Sequence, residues 1–409
     1  MTALQSVLRR LGPWVRRVRD RMPAPVARLI SRAKDRLPRT VVDTAMGYEM
    51  PDTVSPPPAP PRTQVRLYVA PANFAGQAWA LARAAEQELR STGAVTFCPS
   101  DTGFGFDTDY TVPQAIYLDD RGWQNLMVEY VTGNFTHVLI EAARPIFGRK
   151  FGRDIVSEVA TLRAAGLVVA TLAHGTDIRV PSLHAQRHAF TPFTGELIPE
   201  QSLLEERAVR NLARLRRIEA QHFVTTPDLL EFLPEAVWCP VVVDVARWRQ
   251  ERGVLETDTP VVMHAPSKSA VKGSDIVDPL VSDAQHLDYR RISGVPAAQM
   301  PAHYRGADIV LDQFRLGSYG VAACEAMAAG RVVIGNVTPE IRALVRDTIG
   351  LDLPIVQSEG HDVIAVIDDL VADPDRAREI AASGPKFVEA LHSGRHSVEV
   401  LRPFLGKKS

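Results

Sequence analysis

Cysteine and long apolar runs are scarce in this sequence. Its 409 residues include three cysteines, Cys98, Cys239 and Cys324, too far apart for a Cys-x-x-Cys metal or redox motif. A disulfide framework is therefore excluded as the main source of stability, and a reducing cytoplasm fits best. No segment reaches the ~18 consecutive apolar residues of a membrane span, and the N-terminus lacks a secretory apolar region. We expect a cytoplasmic protein.

Several common catalytic motifs are also missing. The sequence has no Walker loop, no Gly-x-Ser-x-Gly elbow and no intact Gly-x-Gly-x-x-Gly fingerprint, which counts against hydrolase and NAD-dependent chemistry. The histidines of "HLDYRR" and "LHAQRH" lack the second ligand pair of a zinc site. We therefore expect neither a metal nor a cofactor.

The charge is distributed unevenly along the chain. A net charge of −1 gives no reason to expect nucleic-acid binding, but residues 1–64 hold twelve Lys or Arg against five Asp or Glu. Residues 1–40 space apolar side chains at three- and four-residue steps between arginines, which predicts a basic amphipathic helix on an anionic membrane surface. A solvated arm, a helix docked on the protein's own body and an organellar transit peptide remain alternatives. The Pro-rich stretch "PDTVSPPPAPP" predicts an extended linker that ends near residue 63.

From residue 64 onward, short apolar strands alternate with amphipathic helices, and the pattern restarts near residue 260. This alternation predicts an α/β protein of two doubly wound, Rossmann-like domains with parallel sheets. We place the first domain at residues 64–245, completed by a C-terminal helix at about 390–409, and the second at 246–389.

One carboxylate stands out in the second domain. In "LGSYGVAACEAMAAGRVVIGNV", Glu325 lies within a run of Ala, Cys, Met and Val, where an unpaired charge is costly. It follows a turn whose amides lie free at the start of a helix and would attract a phosphate. A ribose diol beside that phosphate is a suitable partner for the carboxylate, and an internal ion pair is the alternative. The turn consists of Gly317, Ser318, Tyr319, Gly320 and Val321.

This stretch resembles the nucleotide-sugar signature of family 4 glycosyltransferases, which have the GT-B fold. The resemblance implies that Glu325 binds the donor ribose and that the turn amides bind the diphosphate. The family's Glu-x7-Glu pair would place a second Glu at position 317, where this chain has Gly317. Asp312 or Gln313 is the expected substitute for that donor-sugar contact.

Two loops hold further candidates for the same reaction. In "HAPSKSAVKGSD", Lys272 precedes a glycine at a helix start and aligns with the family's diphosphate-binding Lys. The family's Arg is missing from this loop, where Lys268 is the nearby cation. In "LAHGTDIR", His174 resembles the His that contacts the transferred sugar, and Asp177 with Arg179 would organise the loop.

A third loop, "PANFAGQ", resembles the glycine-containing first loop of GT-B enzymes. Gly76 would let the backbone approach the diphosphate or the acceptor, with Asn73 and Gln77 as polar neighbours. Without the resemblance, this segment is a glycine turn before a helix.

Together these features predict transfer of a sugar from a nucleoside-diphosphate sugar to an unknown acceptor in a cleft between the domains. The resemblance implies retention of anomeric configuration without a metal. The basic tail suggests a lipid-linked or membrane-proximal acceptor and a peripheral position on the inner membrane face. A nucleotide-sugar epimerase of the same build and a non-catalytic nucleotide-binding relative are the alternatives.

Overall fold

The computed structural model describes residues 54–100 and 105–406. The predicted basic helix within residues 1–40 lies outside this part of the chain, as do the first residues of the Pro-rich linker. Among the described helices, none combines the length and the apolar composition needed to cross a membrane.

The first sheet has six parallel strands in the order β2-β1-β3-β4-β5-β6. Its strands are β1 (Val65–Ala70), β2 (Thr92–Thr96), β3 (His137–Glu141), β4 (Val168–Ala173), β5 (Gln221–Val224) and β6 (Val237–Trp238).

The second sheet has five parallel strands in the order β11-β10-β9-β7-β8. These strands are β7 (Val261–His264), β8 (Asp288–Arg291), β9 (Ile309–Leu311), β10 (Val332–Gly335) and β11 (Ile355–Gln357).

Helices connect the strands. In the first half of the described chain they are α1 (Gln77–Glu88), α2 (Gln114–Asp119), α3 (Arg121–Asn134), α4 (Ile155–Ala164), α5 (Pro181–Arg187), α6 (Gln201–Leu215) and α7 (Val245–Trp248). In the second half they are α8 (Ser269–Lys272), α9 (Ser274–Asp283), α10 (Met300–Arg305), α11 (Val321–Ala328), α12 (Pro339–Ile349), α13 (Val363–Ala372), α14 (Pro374–Leu391) and α15 (Arg395–Leu405).

The prediction of two parallel-sheet α/β units is confirmed. The central strands are buried on both faces, and this is why they read as continuous apolar runs rather than alternating ones. The outer strands are short. Strand β2 ends at Thr96, and β6 ends at Trp238 because Pro240 has no amide to continue the ladder.

The last helix, α15, packs on the first sheet. Its buried Val398, Leu401 and Phe404 share an apolar cluster with Leu67 of β1. A methyl group at Gly394, where α15 begins, would lie 2.6 Å from the Ala84 Cβ atom of α1, so the backbone approaches α1 closely. The exact domain limits, 64–245 and 246–389, stay a prediction.

Candidate functional site

The turn before α11 presents unpaired amides. Gly317 has φ 66° and its carbonyl accepts a hydrogen bond from the Thr338 amide at 2.9 Å, which fixes the turn. Gly320 is the N-cap of α11, and no side chain caps the helix. Within residues 54–100 and 105–406, no group accepts a hydrogen bond from the amides of Tyr319, Gly320 or Val321. These donors and the helix dipole can bind an anion.

Glu325 lies about one turn further along α11. In the described part of the chain its carboxylate makes neither a hydrogen bond nor an ion pair, so the internal pairing considered above is not found. Desolvation raises its pKa to about 8, although the positive charges of Arg247 and Lys272 partly oppose the shift. Glu325 is therefore a half-buried carboxyl group that is available to an external hydroxyl group.

Lys272 is a second charged residue of this site, close enough for its charge to act on Glu325. Its ammonium forms an ion pair with Asp312, whose side chain is almost fully buried. The Phe314 amide donates to the Lys272 carbonyl at 3.3 Å, and Gly273 follows with φ 75°. The Asp312 carboxylate is thus engaged by Lys272, which competes with its expected contact to a donor sugar.

Arg315 is a cation that the sequence analysis missed. Its guanidinium donates to the Ala270 carbonyl at 3.2 Å and to the Asp275 carboxylate at 2.6 Å, so it ties the turn of Gly317 to the loop of Lys272. The expectation that Lys268 is the nearby cation of this loop is therefore incomplete. Its place in the sequence could have identified it, because Arg315 follows strand β9 by four residues at the carboxyl end of the sheet.

Lys268 is exposed and lies within reach of charged residues of the first domain. Desolvation lowers its pKa, and the positive charges of Arg179, Arg207 and Arg144 lower it further, while Glu200 acts more weakly in the opposite direction. The cleft therefore gathers positive charge from both domains.

Two residues of the turn are less accessible than the sequence suggests. The Tyr319 side chain is buried, and its hydroxyl lies 3.2 Å from the His392 Nε2 atom, so only its amide is available to a ligand. The Ser318 hydroxyl is buried close to Asp228 of the first domain, without a well-formed hydrogen bond. Asp228 in turn pairs with Arg179.

The structure also gives a physical reason for glycine at position 317. A Cβ atom there would lie 2.6 Å from the Thr338 Cγ2 atom and 3.5 Å from the His188 Nδ1 atom of the first domain. The positive φ angle adds strain for any other residue. The first Glu of the family pattern therefore does not fit this backbone.

His174 follows β4 and lies against the end of β3. Its Nε2 atom is 3.0 Å from the Oε1 atom of buried Glu141, and the Phe74 ring packs edge-on at 5.4 Å between centroids. The Asp177 carboxylate accepts hydrogen bonds from the amides of His174 at 3.1 Å and Gly175 at 2.6 Å.

The first loop differs in part from expectation. Gly76 has φ 72°, consistent with a tight turn. Asn73, however, is buried, and its amide group donates to the Asp107 carbonyl at 2.7 Å. Gln77 exchanges two hydrogen bonds with the backbone of Val242. Both side chains are polar neighbours of the loop, as proposed from the sequence, but their hydrogen bonds are made to internal backbone groups.

Comparisons with known proteins identify a family resemblance in the second half of the chain and the fold of the whole. Residues 237–402 match the family model described as "Glycosyl transferase-like". No curated protein sequence matches significantly.

Solved structures resemble nearly the whole described chain. The sucrose-phosphate synthase of Thermosynechococcus elongatus is 14% identical, with a TM-score of 0.52, and the match covers 82% of this chain and 97% of that one. The glycosyltransferase of Rickettsia africae is 11% identical, with a TM-score of 0.54 and coverages of 84% and 98%. HepE of Anabaena, solved with UDP and glucose, is 10% identical, with a TM-score of 0.55 and coverages of 82% and 98%.

At these identities the structural likeness shows the fold, and the family match describes residues 237–402. The two parallel-sheet domains have the arrangement of GT-B glycosyltransferases. Residues 237–402 match the glycosyl transferase-like model, and the chain has the GT-B fold.

Proposed function

We propose that this protein transfers a sugar from a nucleoside-diphosphate sugar, bound by the second domain, to an acceptor held by the first. The observation that carries the proposal is the Glu325 carboxyl group. It is half-buried, has no ion pair in the described chain, and lies one helical turn beyond free amides and near Lys272. A ribose diol with its adjoining diphosphate satisfies all three features at once.

Each part of the donor has a proposed partner. The ribose hydroxyls donate hydrogen bonds to Glu325, and the diphosphate oxygens accept hydrogen bonds from the amides of Tyr319, Gly320 and Val321. Lys272 places a positive charge beside the departing diphosphate, and Lys268 adds a second one. Fixed charges and dipoles aimed at a leaving group lower the barrier because they need no reorganisation during the reaction.

His174 is the proposed contact to the transferred sugar. Its Nε2 atom is directed to Glu141, so the ring is held in place and its other nitrogen is left for a sugar hydroxyl. We further propose retention of anomeric configuration, no metal requirement, and transfer of the acceptor proton to the donor phosphate. These last features rest on the family resemblance.

UDP-sugars are the first donors to test. HepE was solved with UDP and glucose, and a DNA-bound α-glucosyltransferase, 9% identical with a TM-score of 0.53, was solved with UDP. Domain closure over such a donor would exclude water and limit hydrolysis.

The membrane association remains a proposal of its own. Residues 1–40 have the charge and the periodicity of an interfacial helix. Deleting residues 1–60 should abolish sedimentation with anionic liposomes, and unchanged sedimentation would contradict a peripheral role on the inner membrane face.

Thermal shift with UDP and UDP-glucose tests the donor site, because a ligand that binds only the native state raises the melting temperature. We expect Glu325→Ala and Lys272→Ala to weaken UDP binding by about tenfold or more. The matched controls Glu389→Ala and Lys386→Ala change exposed residues of α14 and should have no effect. Unchanged affinity in both site variants would refute the proposal.

Product analysis without an acceptor identifies an epimerase, and binding without turnover identifies a non-catalytic protein.

A further inference from the structure

The loop between β3 and α4 is strongly basic. It contains Arg144, Arg149, Lys150 and Arg153, with no carboxylate between Glu141 and Asp154. The loop is also firmly held. Buried Glu158 of α4 accepts the amides of Ile146 at 2.7 Å and Phe147 at 3.2 Å. The positive charges are therefore presented from a fixed backbone.

Arg144 differs from Arg149 and Lys150 of this loop, whose side chains are paired. Its guanidinium carbon lies 4.9 Å above the centroid of the Phe74 ring, and the described residues offer its N–H groups neither a hydrogen bond nor an ion pair. Arg149, by contrast, pairs with Asp119 at 2.6 Å. The Phe74 ring therefore orients the Arg144 guanidinium, whose N–H groups are available to a ligand.

This arginine lies next to the reaction centre proposed above. Phe74 is 40% exposed, supports Arg144 on its face and contacts the His174 ring. The three residues come from loops that follow β1, β3 and β4, which end at one edge of the first sheet. A molecule that reaches His174 from the first domain therefore passes Arg144.

A second uncommitted cation faces Arg144 across the cleft. Lys268 belongs to the second domain, and its ammonium has no ion pair in the described chain. The charges of Arg144 and Lys268 act on each other unfavourably. Glu200 opposes Lys268 only weakly and Glu141 near Arg144 is fully buried, so the excess of positive charge in this space indicates a site for an anion.

We propose that the acceptor carries a phosphate group, which Arg144 binds beside His174, with Phe74 supporting an apolar part of the acceptor and Lys268 adding charge from the opposite domain. This inference rests on the proposed function. A phosphate suits the site better than a neutral hydroxyl group, since it carries two charges and accepts both N–H groups of a guanidinium. Both a soluble sugar phosphate and a phospholipid headgroup supply this chemistry.

The test uses the full chain saturated with UDP, so that the donor site is filled. Inorganic phosphate is titrated by thermal shift, followed by two matched pairs of probes. Glucose 6-phosphate against glucose represents the soluble source, and dihexanoyl phosphatidic acid against dihexanoylglycerol represents the lipid source. We expect phosphate to bind and the phosphorylated member of one pair to bind about tenfold tighter than its neutral counterpart.

Two variants assign the binding to Arg144. Arg144→Gln should weaken phosphate binding by about tenfold and leave UDP binding unchanged, whereas Arg149→Gln should alter neither. The phosphate titration is also repeated without UDP on the Lys272→Met variant. This variant lacks the lysine proposed to bind the donor diphosphate, so the test of Arg144 stays valid even where UDP is the wrong nucleotide. Absence of phosphate binding, or an equal loss of UDP and phosphate binding in Arg144→Gln, would overturn the inference. Failure of UDP alone would contradict only the proposed donor.

Discussion

The Nε2 atom of His174 lies 3.0 Å from the Oε1 atom of Glu141, a side chain with no solvent exposure. The two residues stand at the carboxyl ends of β3 and β4, which are neighbours in the first sheet. Burial raises the pKa of Glu141, while its hydrogen bond to His174 opposes this shift. Two neighbouring strands of the sheet thus fix the orientation of the His174 ring.

This pair gives the first prediction. Glu141→Gln keeps the volume and a hydrogen-bond acceptor but removes the charge, so we expect kcat to fall about tenfold with little change in the donor KM. His174→Ala should cost at least as much. Steady-state kinetics with the identified donor and acceptor would show this, together with melting temperatures to verify folding. An unchanged kcat in Glu141→Gln would mean that the buried charge has no part in transfer.

Because Lys272 forms an ion pair with Asp312, we expect variants of this pair to change the free energy of unfolding and the UDP affinity independently. Lys272→Met alone leaves Asp312 buried and unpaired, so we expect a loss of about 2 kcal/mol in the free energy of unfolding. Adding Asp312→Asn should restore most of that loss, because it removes the orphaned charge. UDP affinity should stay low in both variants. Urea denaturation and UDP titration measure the two quantities, and recovery of UDP binding in the double variant would contradict a direct role for Lys272.

Glu325 predicts a particular dependence of stability on pH. Its pKa in the folded chain is about 8 against an ordinary value of 4.5, so the native state binds more protons than the unfolded state between these values. Its contribution to stability is complete below pH 4.5 and is lost as the pH rises to about 8. Glu325→Gln stays neutral, so relative to wild type it should gain about 1–2 kcal/mol between pH 5 and pH 8.

Urea denaturation of Glu325→Gln and wild type at pH 5 and pH 8 measures this difference. The exposed Glu389→Gln serves as control and should follow wild type at both pH values. A constant difference between Glu325→Gln and wild type would show that Glu325 titrates normally.

The turn before α11 contains a matched pair of glycines. Gly317→Ala places a methyl group 2.6 Å from Thr338 at a positive φ, so we expect a loss of about 1–3 kcal/mol in stability. Gly320→Ala meets nothing within 4 Å at φ −141° and should be nearly neutral. Thr338→Ser removes the clashing methyl group and should rescue part of the Gly317→Ala loss. Equal melting temperatures for the two Ala variants would contradict this explanation.

The candidate site was only partly predictable. Glu325, Lys272 and the free turn amides lie in segments whose local pattern predicts a helix start with unpaired amides, which the structure has before α11. Arg315 was missed because its bonds to Ala270 and Asp275 join residues about forty positions apart. The partner of Asn73 was not predictable for the same reason, since the Asp107 carbonyl that it binds belongs to a distant loop.

The sequence by itself determined the two-domain α/β architecture, the parallel sheets and the position of an isolated carboxylate after a glycine turn. Strand and helix periodicity and glycine chemistry act over a few residues, so they are legible in a single chain. Only the tertiary structure decided which polar groups have no hydrogen-bond or ion-pair partner within the described chain. It paired His174 with Glu141, turned Tyr319 inward and set Arg144 on Phe74 without a hydrogen-bond partner in the described chain. Hydrogen bonds and charges are satisfied by neighbours in space, and those neighbours are fixed only when the sheets and loops are assembled.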